Sequence, residues 1–233
     1  MNSKINIFMN FYKFSCTVEE EDFCQKVADF RLRKWPTLSL DGSRFVVFDT
    51  ETTGFYPHKG DEIISVGGVV IDNGQLTDES FLQFVNPYRP IPPLVTELTG
   101  ITDEMVATVP GFVVVCEKFM DFVGPSMLVA HCGAFDFSFI NAQLQKNCGE
   151  KLCPLILDTY LLSHLLFPDH ITHSLDDLAE AYGVPLTDRH TALGDSIITG
   201  NIFLAMVEDL KKKGIRTTTD LLYSFKYMKF ITQ

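Results

Sequence analysis

The chain contains 233 residues, of which 46% are hydrophobic, so it can bury the core of one ordinary globular domain. Its net charge of −11 gives a field that repels polyanions unless metal ions or a local basic patch intervene. The amino-terminal segment has no uninterrupted apolar run, and the six cysteines include no CxxC pair. We therefore expect a cytoplasmic protein with reduced cysteines and no membrane partner.

The predicted elements begin with an amino-terminal helix over 17–34, closed by Trp35-Pro36. Its charged, loosely periodic sequence fits a packing extension, with a partner-docking arm as the alternative. The predicted division of the chain is an amino-terminal helical extension at 1–41, a main domain at 42–213 and a short carboxy-terminal helical tail at 214–233.

The main domain combines a hairpin with an α/β pattern. Asn73-Gly74 is the strongest short hairpin signal that a sequence carries, so the first three strands are expected to form an antiparallel meander. Strands are predicted at 44–48, 62–72, 76–86 and 127–130, and helices at 135–147 and from about 158, 174 and 192 onward. The pattern predicts an α/β fold with mixed strand directions.

Two carboxylates mark the end of the first predicted strand. Asp49 and Glu51 are two residues apart, and strand side chains repeat every second residue, so both leave the sheet on one face. Two negative charges held so close need a cation, and hard oxygen ligands suit Mg²⁺ or Mn²⁺ better than Zn²⁺. The pair predicts the beginning of a metal site.

Two further acids lie on predicted helices in line with buried stripes. Asp136 shares its face with Ile140 and Leu144, and Asp195 precedes a stripe that starts at Ile198. An ionised group facing a core needs a partner or a metal, although an exposed first-turn Asp is the plainer alternative for each acid alone. Four acids together favour convergence where strand ends meet helix starts.

A histidine precedes the last acid by five residues. Alone, His190 would be an ordinary surface or cap residue. Beside a metal ligand, an imidazole with a pKa near 6.5 can accept a proton from an attacking water at neutral pH. We therefore expect it to be a general base.

Three blocks of sequence resemble a known family. FDTETTG at 48–54, AHCGAFD at 130–136 and HTALGD at 190–195 are similar to the signature blocks of the DEDDh 3′–5′ exonucleases. LTGITDEMV at 98–106 and HSLDDLAEAYGV at 173–184 also resemble the proofreading exonuclease (epsilon) subunit of bacterial DNA polymerase III. The similarity runs over about residues 44–212, so it makes 42–213 a 3′–5′ exonuclease domain.

The resemblance implies a ribonuclease H-like fold, an α/β fold with a five-stranded mixed sheet flanked by helices. It implies release of nucleoside 5′-monophosphates from single-stranded or frayed DNA ends with two divalent metal ions, Mg²⁺ or Mn²⁺. The implied metal ligands are Asp49, Glu51, Asp136 and Asp195, with His190 as general base. The implied contacts to the terminal nucleotide are Thr52, Thr53 and Leu98, with core packing as the alternative for Leu98.

One position departs from the family pattern. Cys132 stands where the family usually has Asn, so an amide is replaced by a weakly polar thiol and we expect reduced but not abolished activity. An exoribonuclease or small-oligonucleotide nuclease is the first alternative function, and a nuclease-fold binding module with weakened activity is the second. The expected partners are single-stranded DNA or RNA 3′ ends and a DNA polymerase subunit.

Overall fold

The computed structural model describes residues 18–32, 36–169 and 172–231. Its strands are β1 (Phe45–Thr52), β2 (Ile63–Asp72), β3 (Gln75–Phe84), β4 (Met127–Ala130) and β5 (Ile156–Asp158). Its helices are α1 (Val18–Arg31), α2 (Pro93–Thr99), α3 (Asp103–Val106), α4 (Phe112–Val123), α5 (Ala134–Cys148), α6 (Thr159–Leu166), α7 (Leu175–Tyr182), α8 (Ala192–Lys212) and α9 (Thr218–Ile231). A single 3₁₀ turn covers Pro57–Lys59 in the described chain.

The five strands form one mixed sheet in the order β3-β2-β1-β4-β5. The hairpin prediction is confirmed, because β1, β2 and β3 pair antiparallel and both Asn73 and Gly74 adopt positive φ angles, 49° and 73°. β4 and β5 continue the sheet in parallel with β1. The predicted five-stranded mixed sheet is therefore present, with β1 in its centre.

Two helical layers cover the sheet. Alternate residues of β1 point into different cores: Val46 packs with α1, α4 and α5, whereas Val47 packs with α6 to α9. The longest helix of the described chain, α8, crosses β1 and β2. Its close approach requires Gly67 on β2, because a Cβ there would lie 2.2 Å from the backbone of Ala192. The beginning of α8 is thereby pressed onto the sheet.

The structure differs from the sequence-based expectations in several elements. The helices α2, α3 and α4 and the three-residue strand β5 have no counterpart among the elements that periodicity predicts, and the tail helix α9 is longer than expected. The amino-terminal helix is found at Val18–Arg31 and packs through Phe23, Val27 and Phe30 into the core that α4 and α5 share. Trp35 lies outside the described residues.

The expectation of reduced cysteines is wrong for one pair. Cys24 on α1 and Cys148 at the end of α5 form a disulfide, and their separation of 124 residues explains why local spacing gave no sign of it. Cys116, Cys132 and Cys153 are free. Among the helices described, none combines the length and the apolar character that crossing a membrane requires.

Candidate active site

The site forms where β1 extends beyond its parallel neighbour. β4 pairs with β1 only over Phe45–Val47 and ends at Ala130, whereas β1 continues to Thr52 along β2. The stretch from Asp49 onward therefore has no strand on its β4 side, so side chains from both helical layers can reach it. This opening brings together acids that are far apart in sequence.

Three of the four predicted metal ligands meet on the α8 side of the sheet. Asp49, Glu51 and Asp195 offer carboxylate oxygens that all lie within 4.8 Å of one another. Asp195 is only 6% exposed in the first turn of α8, whose first residues Thr191 caps by accepting a hydrogen bond from the Gly194 N–H. The same-face placement predicted for Asp49 and Glu51 is thus observed.

The fourth acid reaches the site from the other layer. Asp136 lies in the first turn of α5, is 3% exposed and accepts a 2.6 Å hydrogen bond from the Thr50 hydroxyl. Thr50 points to the α5 side of β1, between Asp49 and Glu51, which point to the α8 side. Asp136 is not in the group of three but is close enough for its charge to raise the pKa of Asp49.

The four carboxyl groups are held in an environment that disfavours their charge. Burial, followed by the charges of Asp136 and Glu51, raises the pKa of Asp49 well above its usual range. Burial raises the pKa of Glu51 to about 7, and it raises the pKa of Asp136 and of Asp195 as well. Such a cluster binds either protons or cations, so a divalent ion competes with protons there near neutral pH.

The chain supplies one cation of its own to this cluster. The Arg189 guanidinium contacts Asp195 and donates a 2.7 Å hydrogen bond to Asp176 at the start of α7. Its charge lowers the pKa of Asp195 against the effect of burial. Arg189 therefore ties α7 to the acid cluster and partly neutralises it.

His190 lies beside Asp195, as the sequence predicts. Its backbone adopts the left-handed conformation, with φ of 64°, and its N–H donates a 3.4 Å hydrogen bond to Asp195 Oδ1. The imidazole is half-buried, with Nδ1 at 3.4 Å from a guanidinium nitrogen of Arg189. The side chain is therefore available at the edge of the acid cluster.

The loop before α5 is held by Asp158. Its carboxylate accepts hydrogen bonds of 3.0 Å from the backbone N–H groups of both Cys132 and Gly133, and it also caps α6. Cys132 has a φ of 57°, a conformation that Asn adopts more readily than Cys. Cys132 is exposed as a residue, but partial burial of its thiol raises the pKa of that group to about 11.

The residues predicted to contact substrate have different surroundings. Leu98 is 52% exposed on α2, so its side chain is not part of the core. Thr52 is half-buried and donates a 2.6 Å hydrogen bond to the Gly54 carbonyl. Thr53 is 2% exposed, and its hydroxyl accepts from the Glu62 N–H, so its side chain holds the β1–β2 connection and offers a ligand almost no surface.

The acid cluster fits divalent cations of the Mg²⁺ type. Its donors are carboxylate oxygens without nitrogen or sulfur, and three of them already converge within 4.8 Å. Burial raises the pKa of each acid, and neighbouring acids raise the pKa of Asp49 and Glu51 further. Thr50, Arg189 and Asp158 surround these acids but were not identified from the sequence. In the sequence, Arg189 directly precedes His190, and Asp158 directly precedes the first residue of α6. These positions were the available signals for the roles of Arg189 and Asp158.

Comparisons with known proteins agree with this geometry. The RNase_T exonuclease family model matches residues 46–203. The chain is 42% identical over 181 residues to a DNA polymerase III subunit epsilon-like protein of Rhodobacter capsulatus, covering 76% of this chain and 26% of that protein. It is 38% identical over 173 residues to the 3′-5′ exonuclease DinG of Bacillus subtilis, covering 74% of this chain and 18% of that protein. The chain thus spans about a quarter or less of these relatives.

A solved structure shows the same fold. It is described as the nuclease domain of 3′hExo, a DEDDh family member, bound to rAMP, and it aligns with a TM-score of 0.64 over 72% of this chain and 93% of its own. At 23% identity this likeness concerns the fold alone, and it confirms the predicted ribonuclease H-like sheet. The chain therefore belongs to the RNase_T exonuclease family, which confirms the resemblance that its three sequence blocks predict.

Proposed function

We propose that the chain is a metal-dependent 3′–5′ exonuclease that releases nucleoside 5′-monophosphates from single-stranded or frayed DNA ends. The observation that carries this proposal is the convergence of Asp49, Glu51 and Asp195 within 4.8 Å, with Asp136 buried beside them and His190 at their edge. A purely structural domain gains nothing from burying four acids together, where burial raises the pKa of each and neighbouring acids raise the pKa of Asp49 and Glu51 further. This weighs against a binding module without activity.

The acids hold the cofactor in this proposal. Asp49, Glu51, Asp136 and Asp195 would ligate two divalent ions, Mg²⁺ or Mn²⁺, which supply positive charge to the scissile phosphate and the leaving 3′ oxygen. His190 accepts the proton of the attacking water. Thr52 and the exposed Leu98 contact the terminal nucleotide, and Thr53 holds the β1–β2 connection next to Thr52.

The 3′–5′ direction of degradation and the choice of DNA over RNA are supported by the names of the relatives rather than by any single side chain. The DinG relative is named a 3′-5′ exonuclease, and the Rhodobacter relative is named after a DNA polymerase subunit. We therefore propose DNA as the substrate, residues 42–213 as the catalytic domain and a polymerase subunit as a partner. Co-purification of a polymerase with the full chain from the source cell tests that association.

The test of the activity is degradation of 5′-labelled DNA and RNA oligonucleotides of matched sequence, with Mg²⁺, with Mn²⁺ and with a chelator. We expect DNA to shorten one nucleotide at a time from its 3′ end in either metal, and chelation to stop the reaction. Degradation from the 5′ end would instead release a single labelled nucleotide, so the 5′ label distinguishes the two directions. Faster loss of RNA would replace the DNA proposal with the exoribonuclease alternative.

Variants of the site provide the matched controls. Asp49→Ala and His190→Ala should each lower turnover by orders of magnitude while the thermal unfolding transition persists. Asp209→Ala removes an acid near the other end of α8, where it pairs with Lys212, and should leave turnover unchanged. Equal nucleotide release by wild type and Asp49→Ala would show that the acid cluster does not carry the reaction.

A further inference from the structure

A cavity lies on the α4–α5 side of the sheet, outside the acid cluster. It has a volume of about 680 Å³. We call it the basic groove and define it by Lys59, Tyr88, Arg89, Gly111, Gln143 and Lys146, all of which line it. None of these residues belongs to the proposed metal site.

The groove collects positive charge on a molecule whose net charge is −11. Lys146 is 72% exposed in its side chain and lies 3.8 Å from Glu62, and Lys59 lies 4.4 Å above the ring of Tyr56. Arg89 pairs at 3.1 Å with Asp61, whose side chain is 17% exposed. Glu62 also lines the groove, but Arg89 and Lys146 are more exposed than Asp61 and Glu62. Lys59 adds a third cation, so the surface presented to solvent is positive.

An exposed aromatic ring lies beside these cations. Tyr88 is 82% exposed, and its backbone adopts a left-handed conformation with φ of 52°, which is costly for a bulky residue. Its ring lies over Gly111, where a Cβ would come within 2.8 Å of the ring. The chain therefore keeps a large apolar surface in solvent at a conformational cost, an arrangement suited to stacking on a base.

The amino-terminal end of α4 adds to the same field. Phe112, Val113 and Val114 in its first turn line the groove, and this turn contains no acidic residue and no side-chain cap. The N–H groups of a first turn favour anions. Their position next to the exposed cations indicates that the groove suits phosphates.

Helix α5 connects the groove with the acid cluster. Asp136 belongs to the cluster, and Gln143, seven residues later on the same helical face, lines the groove together with Lys146. With a rise of 1.5 Å per residue, these two residues lie about 10 and 15 Å from Asp136 along the helix. A stacked strand advances about 3.4 Å per nucleotide, so this distance corresponds to roughly three to five nucleotides.

We propose that the basic groove binds the phosphodiester backbone of a single nucleic-acid strand roughly three to five nucleotides before its 3′ end, with one base stacked on Tyr88. The inference deepens the proposed function and rests on it, because the acid cluster fixes where the 3′ end lies. Lys59, Arg89 and Lys146 contact phosphates of any sequence. The groove therefore determines the preferred substrate length.

The test compares two triple variants of identical composition. One replaces Lys59, Arg89 and Lys146 by Gln, and the control replaces the exposed Lys212, Lys213 and Arg216 by Gln. Lys212 is the last residue of α8, about 25 Å from Asp195 along the helix, and the other two control residues follow it. Binding of 5′-fluorescein-labelled dT12 is measured by anisotropy in chelator across a salt series. The kcat/KM values for dT12 and dT2 are measured in Mg²⁺.

We expect the groove variant alone to bind dT12 at least about tenfold more weakly, with a salt slope lower by about 2, because three phosphate contacts are lost. Its ratio of kcat/KM for dT12 to that for dT2 should fall as well. Unchanged binding of dT12, or an equal loss in the two triple variants, would overturn the inference. Failure of the proposed function appears separately, as no nucleotide release by the wild-type protein, and the binding measurement still decides the groove.

Tyr88 is tested by two single variants. Tyr88→Phe keeps the stacking surface and should retain dT12 binding, whereas Tyr88→Ala should weaken it by a factor of about 5 to 150, the range for loss of one base stack. Both variants lose the phenolic hydroxyl, so a loss of equal size in both would remove stacking from the proposal.

Discussion

The Thr50 hydroxyl holds one of the four acids in place. It donates to Asp136 at 2.6 Å from the strand residue between Asp49 and Glu51, so one short segment of β1 provides two acids and orients a third. Without this donor, a buried carboxylate would lose one of its hydrogen-bond partners on β1.

Thr50→Val removes that donor while keeping the shape of the side chain. We expect Mn²⁺ affinity to fall about 10- to 100-fold, the usual effect of losing a group that orients a metal ligand. Isothermal titration of Mn²⁺ into the purified protein measures this change. Thr50→Ser keeps the hydroxyl and should bind Mn²⁺ with wild-type affinity. Wild-type affinity in Thr50→Val as well would show that Thr50 does not orient Asp136 for metal binding.

Cys132 lies in a backbone conformation that its side chain does not favour. Cys132→Asn should raise the free energy of unfolding by about 1 kcal/mol, because Asn tolerates positive φ. Urea unfolding measures this gain, and Cys153→Asn at another exposed free cysteine is the control. The rate constant for 3′-end removal should also rise, and an unchanged rate would show that the residue does not tune the site.

For individual residues, the sequence predicts which side chains form the acid cluster but not which hydrogen bonds and ion pairs hold them. The three blocks predicted positions 49, 51, 136, 190 and 195, and the structure places all five at one end of the sheet. The Arg189 contacts could not be predicted, because Asp176 is 13 residues away and meets it only after α7 packs. The burial of Thr53 depends likewise on the turn that Asp61 and Glu62 complete.

Among the elements, α8 and β2 set the position of Asp195. Gly67 permits the beginning of α8 to lie against β2, whereas a Cβ on its neighbour Gly68 would face Phe122 and the Val47 carbonyl on the other side. Substitutions at the two adjacent glycines therefore distinguish an effect on the position of Asp195 from a general effect on packing.

Gly67→Ala should displace the amino-terminal end of α8, since its Cβ would lie 2.2 Å from the Ala192 backbone. We expect a loss of about 1–3 kcal/mol in stability together with weaker Mn²⁺ binding. Gly68→Ala, with its nearest approach at 3.1 Å, should lose some stability but keep its metal affinity. Equal metal affinity in both variants would mean that Asp195 does not depend on this contact.

The helix α4 shows why some elements were not predicted. Its buried residues follow a helical spacing through Phe112, Val115, Phe119 and Val123, so the signal was present. Val113 and Val114 follow Phe112 directly, so residues 112–116 look like a short continuous apolar run, and β-branched residues lower helix propensity. Packing against α1 and β3 decides in favour of the helix.

For the whole molecule, the buried acids link stability to pH. A carboxyl whose folded pKa is raised binds more protons in the folded than in the unfolded state, so its contribution falls as pH rises from the unfolded to the folded value. For Glu51 this window runs from 4.5 to about 7. His131, whose pKa burial lowers from 6.5 to about 4, acts in the opposite sense, because its contribution is lost as pH falls through that range.

Glu51→Gln should therefore stabilise the metal-free protein by up to about 3 kcal/mol at pH 8 and have little effect at pH 4.5. Urea unfolding in chelator at the two pH values measures the difference, and Glu180→Gln at an exposed site on α7 is the control. A Glu51→Gln effect that is the same at both pH values would contradict the linkage. Added Mg²⁺ should stabilise wild type more than the variant.

The position of β1, partly in the sheet and partly in the site, has a consequence for how the acid cluster comes apart. The first half of the strand is flanked by both β2 and β4, so we expect its backbone amides to exchange slowly with solvent. Asp49 and Glu51 belong to that same continuous strand and cannot leave each other without dissolving the sheet. Local unfolding at the start of α5 or α8 would instead remove Asp136 or Asp195 from the cluster, while Asp49 and Glu51 stay together on β1.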